Sequence, residues 1–157
     1  MKICLLMIGK TTVAYAREGL EDYARRLKHY VSLETRVIPG AKHAGALTES
    51  LLKEREGELI LSCLEETDTV VLLDERGTEY SSVEFSAYLE RKAREGARRL
   101  VFVTGGAYGF SGRVYERARE RVSLSRMTFS HQMARVIFLE QLYRAMTIAR
   151  GEAYHHE

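Results

Sequence analysis

The chain has 157 residues, of which 45% are hydrophobic and 29% charged, with one proline and no tryptophan. This length and composition fit one globular domain and exclude a disordered tail, a collagen-like repeat and a proline-rich linker. The formal net charge is only +2, but residues 1–90 carry 11 Lys and Arg against 16 Asp and Glu, whereas residues 91–157 carry 13 against 6.

The positive charge of the second half is almost entirely arginine, which supplies 12 of its 13 cations. A planar guanidinium group pairs with phosphates and stacks on bases, so this half is a candidate RNA-binding face. The alternative is that these arginines lie on solvated helix faces. The charge pattern alone leaves both interpretations open.

The two cysteines, Cys4 and Cys63, lack the number and spacing of a disulfide framework or a metal site. We expect both to be small buried hydrophobic residues. No apolar run reaches the ~18 residues that a membrane span needs. No small-residue cleavage site follows the first apolar stretch, so a cytoplasmic protein is predicted, with neither a metal nor a membrane anchor.

Short apolar runs alternate with amphipathic ones along the chain, which predicts an α/β fold with a mainly parallel sheet and a single domain over residues 1–157. Strands are predicted at residues 2–8, 33–38, 69–74, 100–104 and 124–129. Helices are predicted at residues 12–30, 48–64, from 81 or 82 to about 96, after 111, and at 131–150. A loop is predicted at residues 40–47, and Ser81 with Glu84 has the spacing of a capping box.

The first candidate site is VTGGAYG at residues 103–109, where a predicted strand leads into a helix. Glycines at positions 105, 106 and 109 allow a backbone to approach a ligand closely, and parallel sheets bind ligands at the carboxyl ends of their strands. The spacing is GGxxG rather than GxGxxG, and no P-loop Lys-Ser/Thr follows, so support for a phosphate or dinucleotide site is weak. A tight turn that needs positive φ explains the same glycines.

The second candidate site is VSLSRMTFSHQMARV at residues 122–136, where hydroxyl side chains alternate with apolar ones. This mixture suits an adenine ring and a ribose, because ligand pockets are mostly apolar with a few placed polar groups. The alternative is an ordinary short strand followed by a Ser/His helix cap. At a helix start, the dipole would discourage His131 from becoming charged.

The third candidate site is the C-terminal sequence Tyr154-His155-His156-Glu157. Its aromatic and imidazole groups could stack on an unpaired base. Adjacent histidines point apart, so these residues are unconvincing as metal ligands. The alternative is a tail that frays, as chain ends usually do.

Together these motifs resemble the ribosomal large-subunit methyltransferase H family, small SPOUT-class enzymes that methylate a pseudouridine in 23S ribosomal RNA. The resemblance covers essentially the whole chain. It includes Gly9-Lys10, EDYARRL at 21–27, LLDERG at 72–77, FVTGGAYG at 102–109, SLSRMTF, HQM and RV from Ser123 onward, and EQLYRAMTIARGEAYH at 140–155. The family usually has proline where this chain has Ser130, which bears on the rigidity of that turn.

The resemblance implies a SPOUT-type sheet with a C-terminal trefoil knot whose loops hold S-adenosylmethionine. It implies a homodimer in which the tail of one subunit approaches the cofactor of the other. The implied product is N3-methylpseudouridine in the helix 69 loop of 23S ribosomal RNA, made on the assembled ribosome. By motif match, the cofactor-binding residues would be Leu73, Gly105, Leu124, Ser125, Arg126, Met127, Thr128 and Phe129.

Methylation at N3 requires the loss of a proton, so the reaction needs a base or a deprotonated imide. Candidates for the base are His131, His155 and Glu140. Arg135 and Arg144 are candidates for contacting RNA phosphate or stabilising charge on an imide oxygen, and Tyr154 joins them as a candidate catalytic residue. Two other functions remain as alternatives: a non-catalytic ribosome-binding factor with the same fold, and a nucleotide-binding α/β domain.

Overall fold

The computed structural model describes residues 1–156 and contains five strands and five α-helices within that range. The strands are β1 (Lys2–Ile8), β2 (Ser32–Ile38), β3 (Thr69–Glu79), β4 (Arg99–Thr104) and β5 (Glu120–Ser123). The helices are α1 (Ala14–Leu27), α2 (Glu49–Ser62), α3 (Ser82–Arg94), α4 (Gly112–Ala118) and α5 (His131–Ala149), and Ala44–Ala46 form a single 3-10 turn.

The strands form one sheet in the order β2-β1-β4-β3-β5, and each neighbouring pair is parallel. The predicted α/β fold with a mainly parallel sheet is therefore confirmed. Helices cover both faces of the sheet, so its central strands are apolar along their length. Every residue of β1 after Lys2 is buried.

Two hydrophobic cores lie on opposite faces of the sheet. On one face, α1, α3 and α5 enclose a core that contains Phe85, Phe102 and Phe138, with the rings of the last two 4.7 Å apart. On the other face, α2 and α4 pack over a smaller core that contains Ile60 and Val114. Each large apolar side chain buried in this way contributes about 1.5–3 kcal/mol to folding.

The predicted starts of α2 and α3 are confirmed by side-chain caps, whereas α1 begins at Ala14 rather than at residue 12. The Thr48 hydroxyl accepts the N–H of Leu51 at the start of α2, and Ser81 with Glu84 forms a complete capping box at the start of α3. Ser111 occupies the N-cap position of α4 without a side-chain hydrogen bond to that helix. A satisfied cap contributes about 1 kcal/mol.

The predicted strand at residues 124–129 is wrong, because β5 lies earlier and these residues form a loop. Ser123 donates its hydroxyl to the carbonyl of Ser125 (3.0 Å), whose own hydroxyl accepts the N–H of Met127 (3.0 Å). Such local bonds compete with strand pairing for backbone groups. The serines that mark this segment in the sequence are the reason that it leaves the sheet.

β3 extends beyond the predicted strand at 69–74 because it resumes pairing after a bulge. Val122 lies opposite both Leu73 and Thr78, so residues 74–77 loop out of the ladder. A Cβ at Gly77 would lie 2.7 Å from the carbonyl carbon of Arg121, so glycine is required at this crossing. The bulge places residues 74–76 at the carboxyl end of the sheet.

The two cysteines differ in their surroundings. Cys4 is buried in β1, and burial raises the pKa of its thiol. Cys63 follows α2 and is only half-buried, so the prediction of burial is confirmed for Cys4 and wrong for Cys63. Among the helices within residues 1–156, none is long and apolar enough to cross a membrane.

Candidate active site

A cavity of about 750 Å³ opens at the carboxyl ends of β3 and β4. Three segments line most of it: residues 73–76 of the β3 bulge, residues 104–110 after β4, and the loop after β5 at residues 124–125 and 127–131. Glu49 and Lys53 of α2 complete one side. This volume lies in the usual range for small-molecule sites, and its position is the one that open parallel sheets use.

The β3 bulge forms the first wall and is tied to its surroundings through two carboxylates. Asp74 accepts a hydrogen bond from the hydroxyl of Tyr115 (2.8 Å), and Glu75 accepts one from the hydroxyl of Thr128 (2.7 Å). Burial, and then the bond to Asp74, raise the pKa of Tyr115, so its phenol stays protonated and remains a donor. The second bond joins the bulge to the loop after β5 across the cavity.

The glycine turn at residues 105–109 forms the second wall. Gly109 has φ +85° and donates its N–H to the carbonyl of Gly106 (3.3 Å), which closes the turn. A Cβ at Gly105 would lie 3.1 Å from the ring of Phe110. Positive φ therefore accounts for Gly109, as the tight-turn interpretation predicts, whereas close packing on the Phe110 ring accounts for Gly105.

The loop after β5 forms the third wall, and it brings most of the predicted cofactor-binding residues together. Seven of the eight line the cavity: Leu73, Gly105, Leu124, Ser125, Met127, Thr128 and Phe129. Arg126 is the exception, because its exposed guanidinium group pairs with Glu79 (3.3 Å) and is not among the residues that line the cavity.

The cavity offers chemistry suited to a ligand that is partly an apolar ring and partly polar. Leucine and phenylalanine side chains stand beside hydroxyl groups and the backbone of a glycine turn. Within residues 1–156, no group of three or more His, Cys, Asp and Glu side chains could hold a metal ion. The apolar side chains, hydroxyl groups and turn backbone that line the cavity fit an organic cofactor.

His131, the first residue of α5, also lines the cavity. Burial and the neighbouring positive charge of Arg135 lower the pKa of its imidazole. The side chain is therefore neutral near pH 7 and able to accept a proton. Ser130 caps the helix in front of it by accepting the N–H of Met133 (3.3 Å).

Arg135 lies inside the protein, whereas a contact with RNA was predicted for it. It is fully buried, and its guanidinium group donates to the carbonyl of Ile8 (2.5 Å) and the hydroxyl of Thr11 (2.8 Å). The neighbouring Gln132 accepts the N–H groups of Thr12 (3.0 Å) and Val13 (2.8 Å). The expectation that Arg135 contacts RNA is corrected here, because its guanidinium group holds the β1–α1 loop inside the protein.

The remaining catalytic candidates form a separate group, the tail cluster, made of Glu140, Arg144, Tyr154 and His155. One oxygen of Glu140 accepts from Nη2 (2.5 Å) and Nε (3.1 Å) of Arg144 and from the hydroxyl of Tyr154 (3.1 Å). Nη1 of Arg144 lies 3.2 Å from Nδ1 of His155. The described part of the tail is therefore docked on α5 rather than frayed, and none of these four residues lines the cavity.

Sequence reasoning missed the tyrosines that hold the tail to α1. The hydroxyl of Tyr30 donates to Glu152 (2.6 Å), and the hydroxyl of Tyr23 lies 3.4 Å from that of Tyr154. It also missed Asp74 and Glu75 in the cavity. Tyr23 lies in the quoted motif 21–27 and the two acids in 72–77, so the motifs contained the signal, whereas Tyr30 lies outside them.

Comparison with known proteins agrees with this geometry. Residues 1–155 match a family model described as "Predicted SPOUT methyltransferase". The chain is 55% identical to the "Ribosomal RNA large subunit methyltransferase H" of Parabacteroides distasonis and of Porphyromonas gingivalis, and 50% identical to that of Bacteroides fragilis. Each alignment spans 157 residues and the whole of both chains.

Proposed function

This chain belongs to the SPOUT methyltransferase family, and from that premise we propose that it transfers a methyl group from S-adenosylmethionine to large-subunit ribosomal RNA. The names of its relatives support the RNA substrate. The observation that carries the proposal is the gathering of seven motif residues, from three distant parts of the chain, around one cavity.

The specific methylation target that we propose is N3 of a pseudouridine in the helix 69 loop of 23S ribosomal RNA, on the assembled ribosome in the cytoplasm. This follows from the resemblance to the H family over the whole chain. The modest net charge of +2 agrees with a substrate recognised by shape, because a protein that holds free RNA through phosphates alone needs many unpaired cations. Several arginines of the second half, such as Arg135 and Arg144, are already bonded within the protein.

Bound S-adenosylmethionine would supply an electrophilic methyl group on a sulfonium. In this proposal, Leu73, Leu124 and Phe129 would supply apolar contacts to the cofactor, while the glycine turn and Ser125 would offer backbone and hydroxyl partners. The Glu75–Thr128 bond holds two walls of the cavity together around it. Fixed orientation of donor and acceptor is the main source of rate in such a transfer.

We propose that His131 is the general base that accepts the proton leaving N3. Its neutral imidazole lines the cavity, where the methyl donor would lie. The carboxylate of Glu140 already accepts bonds from Arg144, Tyr154 and Gln141, so we assign it to holding the tail cluster rather than to the proton transfer. General base catalysis contributes roughly 10²–10⁴-fold in comparable reactions.

The active enzyme in this proposal is a homodimer. The tail cluster lines no part of its own chain's cavity, so a second copy would have to bring Arg144, Tyr154 and His155 to the donor. We further propose that the C-terminal segment is threaded as a trefoil knot, as family membership implies, although knots are rare among folds in general.

The decisive experiment is mass spectrometry of 23S ribosomal RNA from a strain that lacks this gene. Purified ribosomes from that strain should gain the mass of one methyl group when the protein and S-adenosylmethionine are added. Calorimetry with the cofactor should show binding to the protein alone. Ribosome binding without a mass gain would instead identify a non-catalytic factor, and affinity only for a phosphate-bearing cofactor would identify a nucleotide-binding domain.

A further inference from the structure

Glu56 is a buried carboxyl group with no part in the site described above. It lies in α2 and is only 7% exposed. Within residues 1–156 it makes no hydrogen bond or ion pair with a side chain, and burial raises its pKa. Its carboxyl group is largely withdrawn from water, and an apolar side chain at the same position would avoid the cost of that desolvation.

The carboxyl group packs against Gly106 of the glycine turn. A Cβ built on Gly106 would lie 2.5 Å from one oxygen of Glu56 and 2.8 Å from the other. Both oxygens are therefore packed against the backbone of Gly106, which lines the cavity together with Gly105 and Ala107. The next residue of α2, Gly57, packs in the same way against Ser111, which follows the turn.

The helix α2 thus touches the glycine turn at one end through Glu56 and just beyond its other end through Gly57. A glycine turn has little rigidity of its own, because each glycine has a wide range of accessible backbone angles. Its N–H groups hold a ligand well only if the surrounding structure fixes their direction. Glu56 is placed to do this through its contact with Gly106.

We propose that Glu56 is a positioning residue whose carboxyl group packs against Gly106 and keeps the backbone of the glycine turn in place for the methyl donor. This inference rests on the proposed function, because it assumes that the donor lies against the turn. A carboxyl oxygen accepts a bond from a backbone N–H, and the protonated group donates one to a carbonyl. Either bond becomes available with a small movement of the turn.

Substitutions at position 56 separate support of the turn from a general effect on α2. Glu56→Ala removes the support, whereas Glu56→Gln keeps its size and its ability to donate and accept. Glu54→Ala is the matched control, because Glu54 is an exposed glutamate in the same helix. Affinity for S-adenosylmethionine should fall roughly tenfold in Glu56→Ala, stay within about threefold of the native value in Glu56→Gln, and not change in the control.

The contact with Gly106 allows a double-mutant cycle. Gly106→Ala places a methyl group where the carboxyl oxygens lie and displaces them, so affinity should fall. In Glu56→Ala/Gly106→Ala the methyl group occupies vacated space, so the double variant should bind no more weakly than Glu56→Ala alone. Such non-additivity is the signature of two groups in contact. Additive losses would overturn the proposal.

Hydrogen–deuterium exchange of the unliganded protein tests the same support without any ligand. The amides of residues 105–110 should exchange faster in Glu56→Ala than in Glu54→Ala, while those of β4 and α2 exchange alike. Equal exchange in the turn, or faster exchange spread evenly over α2 and β4, would overturn the positioning role. If the native protein bound no S-adenosylmethionine, the proposed function would fail, and this exchange measurement would still decide whether Glu56 supports the turn.

Discussion

The cavity and the tail cluster are built from different kinds of groups. The cavity is lined largely by a glycine turn, hydroxyl groups and apolar side chains, and two of its carboxylates, Asp74 and Glu75, are already bonded to neighbouring walls. The tail cluster consists of charged and aromatic side chains bonded to one another. The first arrangement suits recognition of a ligand by shape, and under our proposal the second would act on the methyl donor bound to a second copy of the chain.

The two regions also differ in how firmly they are held. The cavity walls continue directly from the sheet, whereas the tail is attached to α1 and α5 by several separate bonds. The Arg144–Glu140 pair is about a quarter exposed, so by itself it contributes at most about 1 kcal/mol. Edge-to-face packing of Tyr154 on Tyr143, with centroids 4.7 Å apart, adds a comparable amount. The tail is thus docked by weak bonds that single substitutions can loosen.

The largest expected effect comes from removing the end of the tail, which should impair methylation without impairing cofactor binding. Removal of Tyr154–Glu157 should lower methylation of ribosomes at least ~100-fold. Affinity for S-adenosylmethionine should stay nearly intact, because none of the described residues in this segment lines the cavity. Calorimetry and incorporation of labelled methyl groups would measure the two quantities. His156→Ala, at an exposed position, is the control. Unchanged turnover in the truncated protein would refute the role of the tail.

The opposite result is expected when the cavity is altered. Gly105→Val places a branched side chain where even a Cβ would lie 3.1 Å from the Phe110 ring, so the turn must shift and affinity for S-adenosylmethionine should fall at least ~10-fold. Gly112→Ala is the matched control, since its Cβ would meet nothing within 4 Å. Native affinity in the valine variant would show that the donor binds elsewhere.

Two arginines of α5 distinguish a structural role from a role in the tail cluster. Arg135→Met should lower the free energy of unfolding by about 3 kcal/mol, because it leaves the buried carbonyl of Ile8 without its donor. Arg144→Met should change stability by less than about 1 kcal/mol but remove most methylation. Chemical denaturation and activity assays on both variants test this contrast. Equal losses of stability would contradict it.

The pH dependence of methylation should identify the base. Burial and Arg135 lower the pKa of His131 from its usual 6.5, so the imidazole stays neutral to a lower pH than a free histidine. If His131 accepts the N3 proton, the rate should be constant from about pH 8 to 6.5 and fall only in more acidic solution. His131→Gln should lower the rate and remove that acid limb. An acid limb that persists in the variant would assign it to another group.

The sequence was sufficient to predict the order of the elements and most of the cavity, because these depend on local patterns. Runs of apolar residues marked β1 and β4, and the motif residues Gly105 and Ser125 marked two walls. Contacts over long distances along the chain could not be predicted in this way. Arg135 has the same sequence character as any helix arginine, and only its position opposite Ile8, 127 residues away, makes it a buried structural group.

The smallest expected effect concerns Ser130, where the family usually has proline. The backbone here has φ −58°, close to the angle that a proline ring imposes, so Ser130→Pro should fit without strain. Proline would lose the bond to the N–H of Met133 but would reduce the entropy of the unfolded chain, so stability should change by less than about 1 kcal/mol. Ser130→Ala loses the cap with no such gain and should be the less stable of the two. Thermal unfolding of both variants measures the difference, and a proline variant less stable than the alanine variant would show that the turn before His131 differs from that of the family.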